Sequence, residues 1–507
     1  MNKIQNKWIL IIIILIAQLK INAQEKGIFN ILDYGAIGDG QKLNTEVIQK
    51  AIDECTVLGG KVVIPPGKFL TGSLILKSNV TIELLNGSVV LGSTNLKDYE
   101  EHIPKFESYN DIFLKHSLFY SEGQNNISII GEGTIDGQGK SFVRTTSEKP
   151  QRYMNRPFVI RFVECKDVLI EGIEMRNSAM WMQQYLACEF LTIKGIKVYN
   201  HANYNNDMMD IDGCKNVFIS DCYGDTDDDG ITLKSTSNRI SENVVITNCV
   251  VSSHCNAIKL GTESIGGFKN ITISNIVVKP SESKTKIYGY DKGISGITLG
   301  MVDGGILNGV VISNIRIDGA QVPIFLRLGN RGRTIREGIE KPNTGTFRNV
   351  SISDIVATNT GDFGCSITGI PNHPIENVSF SNISINFNGG INQPIGMDVP
   401  ELEDHYPEST MFEILPSYGF FIRHAEGLSL NNIRLALDQS DNRYALIMED
   451  INKVQMKNVS IDNNYSEKGA VYLSNISNAE IEKPIIYDGN KKYFEYSNPN
   501  DSLLIKD

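Results

Sequence analysis

Short runs in which apolar and polar residues alternate recur along most of the chain. Each run follows a polar pair and precedes Ser-Asn or Ser-Asp, and it is rich in Val, Ile and Thr, which predicts short strands. The first apolar residue of the runs recurs at a basic interval of about 25 residues, a spacing typical of solenoids. These anchor positions are Val168, Leu191, Val217, Val244, Ile271, Val310, Val350, Val378, Leu428, Val454 and Ala479.

Other residue types keep a fixed distance from the anchors. Four residues after most anchors stands Asp or Asn, which tolerates the left-handed backbone of a tight corner, and five cysteines also repeat in register. These ladder positions are Asp221, Asn248, Asn275, Asn314, Asp354, Asn382, Asn432 and Asn458, with Cys165, Cys188, Cys214, Cys222 and Cys249. Residues in equal register on successive coils stack roughly 4.8 Å apart. The pattern therefore predicts an all-β fold, a right-handed parallel β-helix.

The two ends of the predicted stack differ from its middle. Residues 45–55 place apolar side chains on one helical face, so we expect a short helix that caps the N-terminal end. From Asp488 onward the chain is polar and the repeat is lost. Because no single coil can bury its own core, we expect residues 24–507 to form one domain.

The first 23 residues have the layout of an export signal. Lys3 and Lys7 precede an apolar run, residues 8–17, that is too short to span a bilayer comfortably. We interpret residues 1–23 as a signal peptide cleaved near Ala23, which predicts a periplasmic or secreted protein with no stable membrane insertion. A membrane anchor is the alternative interpretation.

Charge and cysteine content narrow the choice of partners. The formal net charge of −11 argues against a nucleic-acid partner, although a locally basic cleft can still bind an anionic polysaccharide. An exported chain with eight cysteines can form disulfides. Five of the cysteines lie on stacking positions, however, so we expect them to be small interior hydrophobes with free thiols. We expect a monomer.

Carboxylates are concentrated in two neighbouring segments, residues 206–210 and 226–231. Asp207 and Asp228 are 21 residues apart, close to the length of one coil, so adjacent coils bring them together. Paired carboxylates are the usual means of cleaving a glycosidic bond. Residues 225–230 also match the opening of a calcium loop, but Thr236 stands where that loop needs a bidentate acid. We expect no metal and no cofactor; a solvated acidic turn is the remaining alternative.

These motifs resemble those of the family 28 glycoside hydrolases, the polygalacturonase group of pectin-degrading β-helices. That family carries Asn-Thr-Asp-Gly-x-Asp on one coil and Asp-Asp-Cys-Ile-Ala-Ile-Lys-Ser on the next. Here residues 205–210 read Asn-Asn-Asp-Met-Met-Asp and residues 228–235 read Asp-Asp-Gly-Ile-Thr-Leu-Lys-Ser. The N-terminal segments 33–40 and 65–67 are also similar to that superfamily, so the resemblance covers essentially the whole mature chain.

The resemblance implies an inverting hydrolase acting on pectic polysaccharide. Asp228 would be the general acid, and Asp207 and Asp229 would hold and deprotonate the attacking water. Crowded carboxylates cannot all ionise easily, so one of them keeps its proton near neutral pH. Asp228 and Asp229 can both line the site only if the backbone bends, which Gly230 would permit. Asp210 is expected to close the turn after Asp207 in a structural role.

Two departures from the family motifs concern substrate binding. Where the family has Gly-His-Gly on the third coil, this chain has Asn256, with His254 two residues earlier as a replacement or as a structural histidine. The stretch that matches the family's Arg-Ile-Lys, residues 293–299, has no cation in the matching positions. A basic cluster one repeat later, residues 327–333 with Arg327, Arg331 and Arg333, could bind a carboxylate bidentately, unless it is a solvated loop. The candidate substrate-binding residues are His254, Asn256, Lys259, Lys234, Arg327 and Arg331. Both departures favour a modified pectin such as rhamnogalacturonan.

Two other classes of function remain open. A polysaccharide lyase on the same kind of β-helix usually requires calcium and a basic residue, whereas the cluster here is acidic. A non-catalytic glycan-binding β-helix would keep the ladders but has no reason to place four acids on two coils. The long intervals 271–310, 310–350 and 378–428 are expected to build the walls of the cleft.

Overall fold

The computed structural model describes residues 27–287, 289–463, 468–489, 491–498 and 501–506. The predicted signal peptide, residues 1–23, lies outside the described residues. Strands dominate the described chain, together with one α-helix, α1 (Thr45–Leu58), and short 3₁₀ turns at Ile31–Tyr34, Leu96–Asp98, Gly139–Ser141 and Gln151–Tyr153. None of its helices has the length and apolar character needed to cross a membrane.

The strands of the first half of the chain are short. They are β1 (Ile28–Asn30), β2 (Asp39–Leu43), β3 (Gly60–Ile64), β4 (Gly67–Thr71), β5 (Leu74–Ile75), β6 (Val80–Leu84), β7 (Ser88–Gly92), β8 (Ser117–Glu122), β9 (Asn125–Gly131), β10 (Thr134–Asp136), β11 (Phe158–Val163), β12 (Lys166–Glu171), β13 (Glu174–Arg176), β14 (Gln183–Leu186), β15 (Glu189–Lys194), β16 (Lys197–Asn200), β17 (Met209–Asp212), β18 (Lys215–Ser220), β19 (Tyr223–Thr226) and β20 (Ile231–Ser235).

Many strands of the second half are longer because one strand continues round a corner of the coil. They are β21 (Ser241–Ser253), β22 (Asn256–Ser264), β23 (Gly267–Val278), β24 (Ser295–Met301), β25 (Ile306–Asp318), β26 (Val322–Leu328), β27 (Thr346–Thr358), β28 (Cys365–Thr368), β29 (Ile375–Phe387), β30 (Ser417–Leu437), β31 (Tyr444–Asn463), β32 (Val471–Glu482), β33 (Ile485–Gly489), β34 (Phe494–Ser497) and β35 (Asp501–Lys506).

Strands on successive coils pair in parallel and form three faces of a stack. The first face contains β12, β15 and β18, and the second contains β13, β16 and β19. The third face contains β11, β14, β17, β20, β22, β24 and β26. Strand β21 pairs with both β18 and β19, so it serves the first two faces. This architecture confirms the predicted right-handed parallel β-helix.

The predicted ladders set the register of the coils. Val217 pairs with Val244, Val244 with Ile271, and Ile271 with Val310, and all four side chains are buried in one continuous apolar core. The Asn and Asp ladder residues adopt left-handed backbone with φ between 51° and 59°. Their side chains also bond along the stack, as where Asn432 Nδ2 donates to Asn382 Oδ1 at 2.8 Å. All eight cysteines are buried and free, as expected.

The N-terminal end of the stack is covered as predicted. Helix α1 buries Ile48, Ala51, Ile52 and Cys55, and it packs against β1, β3, β5 and β6. It runs three residues beyond the predicted end, because the break comes only at Gly59.

The prediction that the repeat is lost from Asp488 onward is wrong for part of the C-terminal segment. Strands β34 and β35 both pair in parallel with β32, and Leu503 lies opposite the anchor Ala479. Parallel pairing needs only extended backbone and a few apolar residues on the inner side, so it persists after the Asn ladder has ended. Leu503 and Ile505 supply that apolar contact, since both pack against the core.

Candidate active site

Three aspartates converge at the edge where the chain enters the third face. Asp207 lies two residues before the start of β17, whereas Asp228 and Asp229 lie in the bend between β19 and β20. Met209 pairs with Ile231, so the same register places Asp207 opposite Asp229. The three side chains each bring one carboxylate oxygen within 4.8 Å of the others. Their residues are only 2%, 8% and 4% exposed, so the acids are crowded and largely removed from water.

A bend in the backbone lets consecutive aspartates face the same cavity. Asp228 Oδ1 accepts a hydrogen bond from the backbone N–H of Asp229 at 3.0 Å, and Asn205 Nδ2 donates to Asp228 Oδ2 at 3.3 Å. Gly230 is required by close packing, because a Cβ atom there would lie 2.4 Å from the carbonyl oxygen of Ala257. The next coil thus presses directly against the bend that carries both acids.

Burial and mutual repulsion make protons bind tightly to two of the acids. Burial, followed by the charge of Asp229, raises the pKa of Asp228 to about 7 against the opposing effect of Lys259 and Lys234. Burial, followed by the charges of Asp210 and Asp228, holds the pKa of Asp207 well above its ordinary range. Within the described chain, Asp207 Oδ1 has no hydrogen-bond partner. A carboxyl group with these properties can deliver a proton near neutral pH.

Asp229 differs from its neighbours because strong donors hold it. Asn256 Nδ2 donates to Asp229 Oδ1, and Lys259 Nζ donates to Asp229 Oδ2, both at 2.7 Å. Charge-assisted hydrogen bonds of this length stabilise a carboxylate in its ionised form. Asp229 is therefore suited to accept a proton, whereas Asp228 is suited to give one.

Lys234 is a second lysine in the wall of the site, besides Lys259. Its ammonium is 3.4 Å from Asp210 and 3.6 Å from Glu263, and it lies over the ring of Trp181 at 4.7 Å from the centroid. Asp210 is fully buried and does not line the cavity. Burial raises the pKa of Asp210 to about 8 against the opposing effect of Lys234.

The acids form the floor of a cavity of about 440 Å³. Its lining comprises Lys149, Arg152, Tyr153, Trp181, Asn205, Asp207, Asp228, Asp229, Lys234, Asn256, Lys259, Glu263, Arg333, Tyr406 and Glu408. A larger space of about 870 Å³ adjoins it, and the two share Lys149, Tyr153, Trp181, Glu263 and Arg333 in their walls. The volume is in the range of sites that bind small ligands or sugar units.

The structure separates the predicted substrate-binding residues into two groups. Lys234, Asn256 and Lys259 line the cavity with the three aspartates. His254 does not line it, because its ring is buried behind the bend and Nδ1 lies 3.0 Å from Asp227 Oδ1.

The two predicted arginines also lie away from the acids. Arg327 is buried and donates to the backbone oxygens of Gly369 and Glu401. Arg331 lines only the larger space and binds Asp303 at 2.6 Å. A third member of that cluster, Arg333, reaches the cavity and is bound to Glu263 at 2.5 Å.

Several residues of the cavity escaped the sequence analysis. Glu263 follows the third-coil segment by a few residues and is the shared partner of Lys234 and Arg333. Burial alone would raise the pKa of Glu263, but Lys234, Arg333 and Arg331 together hold it below its ordinary value. Tyr406 and Glu408 come from the interval 378–428, one of those expected to build the walls of the cleft. No sequence motif marked either residue individually.

Among the described residues, two groups of side chains have the composition and spacing to hold a metal ion. One is the cavity trio itself, Asp207, Asp228 and Asp229, whose charge is already opposed by Lys234 and Lys259. The other is His201, Asp227 and His254, which lies behind the bend.

Comparison with known proteins places this geometry in a family. Residues 58–398 match the model of "Glycosyl hydrolases family 28". A "Probable polygalacturonase" of Vitis vinifera is 26% identical over 70% of this chain and 74% of its own length. An "Exo-poly-alpha-D-galacturonosidase" of Dickeya chrysanthemi is 32% identical over 49% of this chain and 40% of its own length.

A solved structure agrees on the fold. The exopolygalacturonase from Thermotoga maritima is similar with a TM-score of 0.61 and 20% identity, over 83% of this chain and 93% of that one. The family model covers well over half of the chain. The chain belongs to glycosyl hydrolases family 28 and is an enzyme that hydrolyses O-glycosyl bonds.

Proposed function

We propose that this enzyme hydrolyses pectic polysaccharide at a galacturonic acid unit, with inversion of the anomeric carbon. The observation that carries the proposal is the buried trio of Asp207, Asp228 and Asp229, in which burial raises the pKa of Asp228 to about 7 and Lys259 binds Asp229. Two similar proteins are named "Probable polygalacturonase" and "Exo-poly-alpha-D-galacturonosidase", and these names support the choice of substrate class.

In the proposed reaction one acid donates a proton to the leaving oxygen, and the other two hold and deprotonate the attacking water. Asp228 donates its proton to the glycosidic oxygen as the bond from that oxygen to the anomeric carbon breaks. A water held between Asp207 and Asp229 forms the new bond to the anomeric carbon, and Asp229 takes the proton that this water loses. Lys259 stabilises the ionised form of Asp229 before that transfer. Asp228 loses one proton and Asp229 gains one, so the total charge of the trio stays the same. Asp229 then releases its proton to solvent and Asp228 takes one up, which restores the starting state.

The spacing of the acids bears on the stereochemical outcome. Carboxyl groups of inverting enzymes are usually roughly 6.5–9.5 Å apart, whereas the nearest oxygens here lie within 4.8 Å. Two oxygens at this distance can both accept a hydrogen bond from one water that lies about 2.7 Å from each. Inversion is therefore proposed on the resemblance to the family and on the presence of a third acid that can share the water.

Unpaired cations favour an acidic substrate. Within the described chain, neither Lys149 nor Arg152 forms an ion pair with a carboxylate, although both line the cavity. Burial, followed by the nearby Arg333 and Arg152, lowers the pKa of Lys149 to about 8, so a ligand carboxylate would relieve its repulsion. We infer that Lys149 binds the carboxylate of a uronic acid unit in place of the family cation that this chain lacks.

Export belongs to the same proposal. Residues 1–23 would be removed as a signal peptide, and residues 24–507 would act as one monomeric unit outside the cytoplasm. A modified pectin such as rhamnogalacturonan is the finer substrate proposal, supported by the two departures from the family motifs at Asn256 and at residues 293–299.

The first prediction concerns the proton donor. Asp228→Asn should lower kcat on pectic oligosaccharides by at least about 10²-fold, because the amide cannot donate the proton, whereas oligosaccharide binding should be nearly unchanged. Reducing-sugar release and calorimetric titration measure the two effects. Asp221→Asn is the matched control, since Asp221 is an exposed ladder residue and other coils carry Asn there. A near-normal rate for Asp228→Asn would remove Asp228 from the mechanism.

The second prediction concerns stereochemistry. A single displacement by water should release the new reducing end with the inverted anomeric configuration, and no glycosyl-enzyme intermediate should accumulate. Proton NMR of the first-formed product, recorded before mutarotation, decides the question. A product with the configuration of the substrate would rule out Asp207 and Asp229 as a water-binding pair.

The third prediction concerns the substrate carboxylate. Lys149→Met should raise KM for a galacturonate oligosaccharide at least about tenfold and change kcat little, because a charge-assisted bond contributes roughly 1.5–3 kcal/mol to binding. Steady-state kinetics against Lys140→Met, an exposed lysine on a neighbouring segment, controls for the loss of a surface charge. Equal KM values for the two variants would show that another group binds the carboxylate.

A further inference from the structure

A second cluster of ionisable side chains lies behind the bend that carries Asp228 and Asp229. His201, Asp227 and His254 each bring one potential ligand atom within 4.8 Å of the others. All three residues are buried, and their side chains are at most 2% exposed. None of them lines the cavity, so the catalytic proposal leaves them without a role.

The coil register stacks these residues at one corner. Asn200 pairs with Thr226, and Thr226 pairs with Ser253. His201, Asp227 and His254 are the next residues on three successive coils, so they occupy equivalent positions. Side chains in equal register lie roughly 4.8 Å apart at the backbone, which holds three donors together without any long-range loop.

Hydrogen bonds of the cluster leave two of its buried polar atoms without a partner. His201 Nε2 lies 2.9 Å from Asp225 Oδ1, which places the ring proton on Nε2 and leaves the Nδ1 lone pair directed towards Asp227. His201 Nδ1 is 4.0 Å from Asp227 Oδ1, too far for a hydrogen bond. Among the described residues, neither His201 Nδ1 nor Asp227 Oδ2 has a hydrogen-bond partner. Buried polar atoms normally have a hydrogen-bond partner, so a bound ligand would explain why these two atoms have none in the protein.

The charges of the cluster point to a cation. Asp225 and Asp227 are both buried, and within the described chain neither forms an ion pair with a lysine or an arginine. A divalent cation bound to two neutral imidazoles would balance the two carboxylates. Nitrogen ligands select first-row transition metals over calcium or magnesium, which prefer oxygen alone.

The surroundings resemble the outer shell of a metal site. A histidine that ligates a metal usually donates its other N–H to a carboxylate, and Asp225 fills that place for His201. Asp225 is held in turn by Ser281 Oγ at 2.6 Å and by the backbone N–H of Glu282 at 3.0 Å. The backbone N–H of Ile287 fixes Asp227 Oδ1 at 2.7 Å. The inserted segment that supplies these donors therefore closes over the corner.

We propose that His201, Asp227 and His254 bind one zinc ion or a similar divalent transition metal, with Asp225 orienting His201. Zinc ligands at about 2.0–2.1 Å place their donor atoms roughly 3.3 Å apart. His254 Nδ1 is already 3.0 Å from Asp227 Oδ1, whereas His201 Nδ1, at 4.0 Å from that oxygen, must approach by roughly 0.7 Å on binding. The ion ties three coils together directly behind the bend between β19 and β20. Its role is to hold that bend, and it takes no part in proton transfer.

The fourth prediction tests this site by metal content. The full-length protein is stripped with a chelator, dialysed against Zn²⁺ and analysed by elemental mass spectrometry. The wild-type protein should hold one zinc per chain, and His201→Ala should bind zinc at least tenfold more weakly. Asp225→Asn should weaken binding by about 10–100-fold, as expected for an outer-shell carboxylate. His373→Ala, which changes an exposed histidine elsewhere on the stack, should retain the zinc.

A second measurement covers the case in which the histidine variants fail to fold. Co²⁺ added to the stripped wild-type protein should give the visible bands of a low-coordinate nitrogen and oxygen site, and Zn²⁺ should raise Tm. Zinc content equal in wild type and folded His201→Ala would overturn the proposal. So would a wild-type protein without cobalt bands and without a rise in Tm, because the cluster would then be a hydrogen-bonded network only.

Discussion

Residues in equal register on successive parallel coils must stack about 4.8 Å apart, and the rest of this structure depends on that constraint. Apolar anchors such as Val244 and Ile271 stack into a continuous core, and Asn ladders stack on the outside with side chains that bond one another. The same rule brings Asp207 and Asp229 together, where like charges would repel. Lys259 and Lys234 on the third face offset that repulsion, so the fold can hold the acids close together.

One acidic run supplies two different corners of the stack. In residues 225–229, Asp225 and Asp227 point to the buried histidines, whereas Asp228 and Asp229 face the cavity. The bend that reverses the side-chain direction is held by close packing of Gly230 against the next coil. The same run resembles the opening of a calcium loop, but Thr236 stands where that loop needs a bidentate acid. The proposed metal site uses histidines from the neighbouring coils instead, which departs from the expectation that the chain holds no metal.

Sequence periodicity predicted most of the fold because parallel pairing is local and repetitive. The anchors, the left-handed Asn positions and the capping helix can each be predicted from the local pattern of residues within one short segment. The extra C-terminal strands were not predicted, because their pairing does not require the Asn ladder that marked the other coils.

In the site, the motif positions Asp207, Asp228, Asp229, Asn256 and Lys259 meet because the coil register makes them neighbours. Lys149, Tyr406 and Glu408 could not be found this way, because inserted segments that follow no period carry them. The interval from His201 to Asp227 to His254 equals one coil each time, so that stack was visible in principle.

The central claim is that the buried acids use water to break a glycosidic bond. Mass spectrometry of the products from a defined galacturonate oligosaccharide tests it most directly. The account predicts that the two product masses add up to the substrate mass plus one water for each bond broken, and that both products are saturated. Products whose masses add up to the substrate alone, with an unsaturated uronate at the new non-reducing end, would contradict it and identify a lyase.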